Sequence, residues 1–183
     1  MRRQSMLALA MLTAAAMTSS PLTAQESNFN SAGYRVAHYR GPISRNPDGA
    51  HRIAPRAVAS LRPDIDALFI DVTPAEGGKR LADGTWMLGE PRLSIPGAHW
   101  FPEAGRGEPD PAIAAWFGRG MTRLSHRRKD RMAVIFCLAD CWMSWNAARR
   151  LAAQGYTNIW WMAEGSDGWR AMGKPLAPVT PAP

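Results

Sequence analysis

The chain has 183 residues, of which 46% are apolar and 20% are charged, and its formal net charge is +7 at pH 7. This length suits a single domain with its own hydrophobic core, and no internal repeat or change in composition indicates a second domain. The densest basic run covers residues 119–131 and has no aromatic residues between its cations, which argues against nucleic-acid binding by base stacking.

The first 24 residues have the composition of a signal peptide. Arg2 and Arg3 supply positive charge, an apolar run follows, and small residues lead up to Ala24. This order is typical of an export signal, and the apolar run is too short to span a bilayer. The sequence therefore predicts a periplasmic protein with no membrane span after cleavage. Residues 25–48 are polar and lack periodicity, which predicts an extended N-terminal segment.

Apolar runs and turn residues divide residues 49–176 into the elements of one predicted domain. Residues 66–72 form a continuous apolar run, as expected for a parallel strand that is buried on both faces. The other elements predicted in this half are an edge strand at 51–55, a short helix at 55–63, an irregular stretch at 73–94 and a turn and strand at 95–101.

The second half of the predicted domain alternates helices with buried strands. We predict, in order, a helix at 110–124, a strand at 131–137, a helix at 144–155, a strand at 158–163 and a turn at 164–169, followed by a proline-rich tail at 177–183. The basic run at 119–131 is predicted to be a solvated helix end and loop, with docking of an acidic partner as the alternative. The alternation predicts an α/β fold with a mainly parallel sheet, whose site lies outside the carboxyl ends of the strands.

The only two cysteines, Cys137 and Cys141, lie four positions apart where the predicted strand 131–137 ends. A disulfide across so short a loop would remove little chain entropy from the unfolded state, so a purely structural role is not indicated. A thiol that ends a strand and faces a loop and a helix N-terminus has its thiolate stabilised by peptide dipoles. Because such a thiolate is reactive, Cys137 is the predicted nucleophile.

The order of these pieces resembles a rhodanese domain. The matching stretches are LFIDV at 68–72, IPGAHWFP at 95–102, AVIFC at 133–137, AARRLAAQGYTNIWWMAEGSDGW at 147–169 and GKPL at 173–176. More narrowly, CLADCWMSWNAARR is similar to the signature of exported rhodanese-like proteins found beside quinoprotein (PQQ-dependent) alcohol oxidation systems, the CxxCW-motif group; the spacing here is C-x-x-x-C-W. The resemblance implies a rhodanese-like α/β fold with a mainly parallel central sheet of about five strands flanked by helices.

The resemblance also implies sulfur chemistry. Cys137 sits where rhodaneses place the cysteine that accepts a sulfane sulfur as a persulfide, and Cys141 would resolve it by forming a disulfide. The loop residues expected to hold the substrate are Leu138, Ala139, Asp140, Trp142 and Met143. No resident cofactor is implied. The implied partners are a sulfur donor or thiol protein, and a periplasmic quinoprotein dehydrogenase or cytochrome c.

The loop differs from those of rhodaneses that act on thiosulfate. Those loops carry Arg and Gly after the cysteine, whereas this loop has no cation and contains Asp140. An acid at this place would raise the pKa of a nearby thiol and repel an anionic donor. Efficient sulfur transfer from thiosulfate to cyanide is therefore not expected.

Two other functions fit the same residues. Two thiolates with Met143 nearby are soft ligands suited to Cu(I), and their spacing resembles that of exported copper-delivery proteins. Alternatively, the scaffold is a non-catalytic binding module on which exposed Trp142 and Trp145 dock a dehydrogenase or cytochrome; packing of the two rings in the core or at its rim is the other expectation for them. Asp71 is expected to close its strand and to bond loop amides, and His99 is expected to be structural.

Overall fold

The computed structural model describes residues 28–183, so the predicted signal peptide at 1–24 lies outside the described residues. The helices are α1 (Pro55–Val58), α2 (Pro111–Leu124), α3 (Trp142–Ala153) and α4 (Gly165–Ala171). The strands are β1 (His51–Arg52), β2 (Leu68–Asp71), β3 (Lys79–Arg80), β4 (Trp86–Met87), β5 (Arg92–Ser94), β6 (His99–Trp100), β7 (Ala133–Phe136), β8 (Ile159–Met162) and β9 (Ala177–Val179). In this described part of the chain, no helix is both long enough and apolar enough to cross a bilayer.

Five strands form a central sheet in the order β1-β8-β7-β2-β6, and every neighbouring pair is parallel. Parallel sheets are covered by helices on both faces, which explains why β2 and β7 are buried along their whole length. The predicted fold class is therefore confirmed: an α/β fold with a parallel central sheet of five strands flanked by helices.

The central strand β7 sends alternate side chains into two separate cores. Ala133 and Ile135 belong to the core that α2 and α3 cover, which we call the first core. Val134 and Phe136 belong to the second core, which α1 and α4 cover. Because side chains alternate along a strand, the next residue, Cys137, points into the first core beneath α3.

The helix α2 begins and ends as the sequence predicts. Pro111 is its first residue, and the carboxylate of Asp110 caps it by accepting the N–H groups of Ala112 and Ile113. The charged side chains of the run 119–131 are exposed at the end of α2 and in the loop after it, apart from the partly buried last arginine. This confirms the solvated helix end and loop.

Two stretches that were predicted to be irregular pair with each other. Within residues 73–94, β3 and β4 form an antiparallel hairpin, and β5 pairs antiparallel with β9 from the predicted tail. Ala182 packs into the first core, and Arg123 of α2 donates a hydrogen bond to the carbonyl of Pro183. The proline-rich residues therefore lie along α2 instead of extending from the domain.

The prediction of a turn at 164–169 is wrong, because these residues begin α4. The two glycines in this stretch mark a turn by composition, yet Gly168 lies inside the helix. Tertiary contact outweighs their low helix propensity, since Trp169 packs into the second core and donates its ring N–H to the carbonyl of Pro175.

Candidate functional site

Cys137 lies at the carboxyl end of β7, and the loop after it is anchored by α4. Its side chain is fully buried, and its carbonyl accepts a hydrogen bond of 2.8 Å from the N–H of Ser166. Gly165 has φ +56°, and a Cβ there would lie 2.2 Å from the Cys137 carbonyl oxygen, so this approach requires glycine. The carboxylate of Asp167 accepts the N–H of Ala139 at 3.0 Å, which fixes the loop at a second point.

Cys141 precedes the first residue of α3, and its side chain is 3% exposed. The thiol of Cys137 acts as a donor toward the Cys141 sulfur and is the main influence that lowers the pKa of Cys141. The amides of Met143 and Leu138 and the charge of Arg40 act in the same direction, while burial opposes them, and the resulting pKa is about 7. A large fraction of Cys141 is therefore thiolate at neutral pH.

The pKa of Cys137 moves in the opposite direction. Burial raises the pKa of this thiol well above its ordinary value, and the negative charges of Cys141 and Asp71 raise it further. The hydroxyl of Thr73 would favour a thiolate on Cys137, but it donates a hydrogen bond of 2.5 Å to the carboxylate of Asp71 instead. The surroundings of the pair therefore disfavour a thiolate on Cys137 and favour one on Cys141.

A buried polar network lies beside Cys137 at the carboxyl end of β2. One carboxylate oxygen of Asp71 accepts the N–H and the hydroxyl of Thr73, and the other accepts the hydroxyl of Ser94 at 2.6 Å and the guanidinium of Arg92 at 3.0 Å. This confirms the expectation that Asp71 closes its strand and bonds a loop amide. The network fixes the wall that faces Cys137, and Thr73, Arg92 and Leu138 also line a cavity of about 170 Å³.

Residues 28–48, which we call the strap, run across the N-terminus of α3. Arg40 forms an antiparallel bridge with Cys141, in which the N–H of Trp142 donates to the Tyr39 carbonyl at 2.8 Å and the N–H of Gly41 donates to the Asp140 carbonyl at 2.9 Å. The segment predicted to be extended is not extended throughout, because residues 29–35 form a turn closed by the Phe29–Arg35 bridge; the part that follows is bonded along the cysteine loop. It covers the Cys141 side of the pair.

The sequence had led us to expect that the loop amides converge on one sulfur, but they do not. The N–H groups of Leu138 and Met143 favour the thiolate of Cys141, whereas those of Ala139 and Trp142 are taken by Asp167 and by the strap. Asp140 is exposed, with φ +52°. The predicted site residues therefore lie around Cys141. The site is defined by this thiol and the anchored loop, not by Cys137 alone.

The tryptophans of the cysteine block are buried, so the prediction that they are exposed docking residues is wrong. Trp142 is 5% exposed and Trp145 is 1% exposed. The guanidinium of Arg35 in the strap stacks over the Trp142 ring at 4.8 Å, and that of Arg45 stacks over Trp145 at 5.1 Å. Met143 is also buried, at 1% exposure, and the three side chains belong to the first core.

Sequence reasoning missed several residues that shape the site. Arg40 supplies the cation that the loop lacks, and Asp71, not Asp140, is the acid that raises the pKa of a thiol. The side chain of Asn146 holds the strap, and Thr73 lies between Asp71 and Cys137. Arg40, Asp71 and Thr73 reach the cysteines from distant parts of the chain, so no local pattern signals them, whereas Asn146 lies in the helix that follows Cys141.

His99 lies 2.8 Å from the carboxylate of Asp64 on the protein surface, which agrees with a structural role. Within residues 28–183, no group of three or more His, Cys, Asp or Glu side chains could hold a metal ion.

No protein-family model matches this chain, and no curated protein matches it. Among solved structures, a thiosulfate sulfurtransferase from Pseudomonas aeruginosa is similar, with a TM-score of 0.48 and 19% sequence identity. The similarity covers 81% of this chain and 23% of that chain. The chain thus spans less than a quarter of the length of the protein that it resembles.

Proposed function

We propose that this protein carries out thiol chemistry, either sulfane-sulfur transfer or thiol–disulfide exchange, with Cys141 as the nucleophile and Cys137 as its partner. One observation carries the proposal: Cys141 directly precedes the first residue of α3, where the amides of Met143 and Leu138 and the charge of Arg40 favour its thiolate and lower its pKa. A thiolate near its pKa at ambient pH combines a useful thiolate fraction with good nucleophilicity.

This assignment exchanges the roles that the sequence indicated for the two thiols. Cys137 follows the strand, but its side chain lies in an apolar core and its pKa is raised. Cys141 has the helix N-terminus, where the N–H of Met143 and the positive end of the dipole favour a negative charge. The supporting argument is therefore the position relative to α3, not the position relative to β7.

Both reactions proceed by attack of the Cys141 thiolate on a sulfur atom. With a persulfide donor R–S–S⁻, Cys141 bonds to the outer sulfur and the donor's S–S bond breaks; RS⁻ leaves, and Cys141 carries the persulfide. With a disulfide R–S–S–R, a mixed disulfide forms and one RS⁻ leaves; Cys137, on losing its proton to the second leaving thiolate, attacks Cys141 and closes the Cys137–Cys141 disulfide. In the second route R–S–S–R is reduced and the cysteine pair is oxidised.

Intact-mass measurement tests the proposal on three forms of the reduced protein. We expect that the wild type and Cys137→Ser take up one sulfur atom from cysteine persulfide, and that Cys141→Ser takes up none. Serine at position 137 keeps a donor toward Cys141, so this variant preserves the geometry. Uptake by Cys141→Ser with none by Cys137→Ser would reverse the roles, and absence of uptake and of mixed disulfide in every form would refute the proposal.

We further propose that the protein works in the periplasm, as an accessory of a quinoprotein alcohol oxidation system. The support is the signal-peptide composition of residues 1–24 and the likeness of the cysteine block to the CxxCW-motif group. In a host that grows on alcohols through such a system, replacing both cysteines by serine should impair that growth. Normal growth of the double variant would show that the thiols are not required for this role.

A further inference from the structure

The strap meets the nucleophile in a specific strand-pairing geometry. Arg40 and Cys141 are directly opposite each other, and the two hydrogen bonds that flank them join their neighbours: Trp142 N–H to the Tyr39 carbonyl, and Gly41 N–H to the Asp140 carbonyl. This is the pattern of a non-hydrogen-bonded antiparallel pair, in which the Cα atoms lie about 4.5 Å apart. Disulfides bridge Cα atoms roughly 4.4 to 6.8 Å apart, so the place of Arg40 is within disulfide range of Cys141.

A second contact binds the strap through its main chain alone. Asn146 is fully buried, and its amide accepts the N–H of Arg35 at 3.0 Å and donates to the carbonyl of the same residue at 2.9 Å. Its remaining N–H donates to the carbonyl of Gly105 at 3.0 Å, which fixes the orientation of the amide. A buried amide that bonds both polar groups of one residue recognises an extended backbone of any sequence.

The part of the strap over Cys141 has unusual backbone angles and one anchored side chain. His38 has φ +48°, an uncommon conformation for a non-glycine residue, and Gly41 has φ +156°. The side chains of His38 and Arg40 are exposed, whereas Tyr39 packs against the first core and its hydroxyl accepts the N–H of Gly107 at 3.1 Å. Release of residues 38–41 would lift Tyr39 from these contacts, break the two flanking hydrogen bonds and expose both the N–H of Trp142 and the thiolate.

We propose that the substrate of this site is an extended polypeptide segment with a sulfur-bearing cysteine, which pairs with residues 140–142 in place of residues 39–41 of the strap. This inference rests on the proposed function, because it takes Cys141 as the nucleophile. The incoming cysteine occupies the position of Arg40, the residue before it accepts the N–H of Trp142, and the residue after it donates to the carbonyl of Asp140. The strap is then an internal competitor that keeps the thiolate covered until a partner arrives.

The reaction with such a segment is thiol–disulfide exchange, with a peptide disulfide as the substrate. The Cys141 thiolate attacks the cysteine sulfur of the incoming segment, the segment's own S–S bond breaks, and its second half leaves as a thiolate. The peptide is then held to Cys141 by a mixed disulfide across the non-hydrogen-bonded pair. Cys137 attacks Cys141, the peptide leaves as a thiolate and takes up the proton from Cys137, and the cysteine pair remains oxidised.

The first experiment compares three probes on the reduced full chain, each a mixed disulfide with thionitrobenzoate, whose release is coloured. One probe is 2-mercaptoethanol, which has no peptide group, the second is a seven-residue peptide with a central cysteine, and the third is this peptide with an N-methyl group on the residue after the cysteine. We expect the peptide to react roughly tenfold faster than 2-mercaptoethanol, from two net hydrogen bonds. N-methylation removes one donor and should lower the peptide rate by about threefold.

The outcomes separate the inference from the proposed function. If all three probes modify Cys141 at equal rates, or if N-methylation leaves the peptide rate unchanged, the polypeptide inference fails and the thiol chemistry stands. If no probe modifies Cys141, the proposed function itself fails.

A second experiment tests the geometry with variants of exposed strap residues. Under mild oxidation, Arg40→Cys should form a disulfide with Cys141, whereas the matched control Arg45→Cys should not, because Arg45 lies over the Trp145 ring instead. Peptide mapping identifies the linked pair. No cross-link in Arg40→Cys, or an equal cross-link in both variants, would overturn the pairing geometry.

Discussion

Cys137 and Cys141 belong to one short loop and both are buried, yet the charges and amides around them act on their pKa values in opposite directions. Cys137 ends a buried strand, has an acid beside it, and is fully buried. Cys141 starts a helix, faces two amides and has a cation nearby. The difference teaches that a strand end alone does not make a thiol reactive, since the dipoles that favour a thiolate belong to the helix that follows.

The largest effect should come from removing the acid on the Cys137 side. Asp71→Ala removes a fully buried carboxylate, leaves the partly buried Arg92 without it and takes an acceptor from Thr73 and Ser94. We expect a loss of about 3–5 kcal/mol in the free energy of unfolding, measured by urea denaturation. Asp140→Asn is the matched control because Asp140 is exposed and asparagine tolerates its positive φ. Equal midpoints for the two variants would contradict a structural role for the Asp71 network.

The next largest effect should separate the two thiols by reactivity. At pH 7, iodoacetamide should modify Cys137→Ser at a rate near that of the wild type and Cys141→Ser far more slowly, because burial raises the pKa of Cys137 and leaves little of it as thiolate. Circular dichroism melting would establish that both variants are folded. A faster reaction in Cys141→Ser than in Cys137→Ser would break the comparison.

A smaller effect should come from the cation on the Cys141 side. Arg40→Gln removes a positive charge that lowers the pKa of Cys141, so the pH midpoint of its alkylation should rise. Because the thiolate is the reactive form and Arg40 is exposed, we expect a rate lower by about twofold to fivefold at pH 6. Above pH 9 the rates should coincide, since Cys141 is then ionised in both proteins. A midpoint that does not move would exclude Arg40 from the site.

The smallest effect should come from the acid that the sequence had marked. Asp140 is not among the groups that move the pKa of either cysteine. Asp140→Asn should therefore leave the pH midpoint of Cys141 alkylation unchanged. A fall in that midpoint would mean that Asp140 opposes the thiolate after all, and would reduce the contrast between the two thiols.

Much of the fold could be predicted because the signals were local. The apolar runs of β2 and β7 and the Asp110–Pro111 start of α2 each carry their structure in adjacent residues. The short helix α4 could not be predicted in this way, because Trp169 stabilises it through contacts with the second core. The pairing of β5 with β9 likewise joins segments that are far apart in the chain.

The same distinction explains the site. The presence of both thiols between β7 and α3 could be predicted, because strand, loop and helix follow one another along the chain. Which thiol holds the charge depends on Arg40, on Asp71 and on the direction of two amides, and these are set by tertiary contacts. The strap was predicted to be extended, but nothing local indicated that its partner was Cys141.

Site-resolved alkylation of the reduced wild-type protein tests the central claim most directly. The protein would be labelled with less than one equivalent of iodoacetamide between pH 5 and pH 10, and the label on each cysteine would be quantified by peptide mass spectrometry. We predict that alkylation of Cys141 rises with a midpoint at about pH 7 and that Cys137 is alkylated only at much higher pH. Label that appears first on Cys137, or on both cysteines with one midpoint, would contradict it.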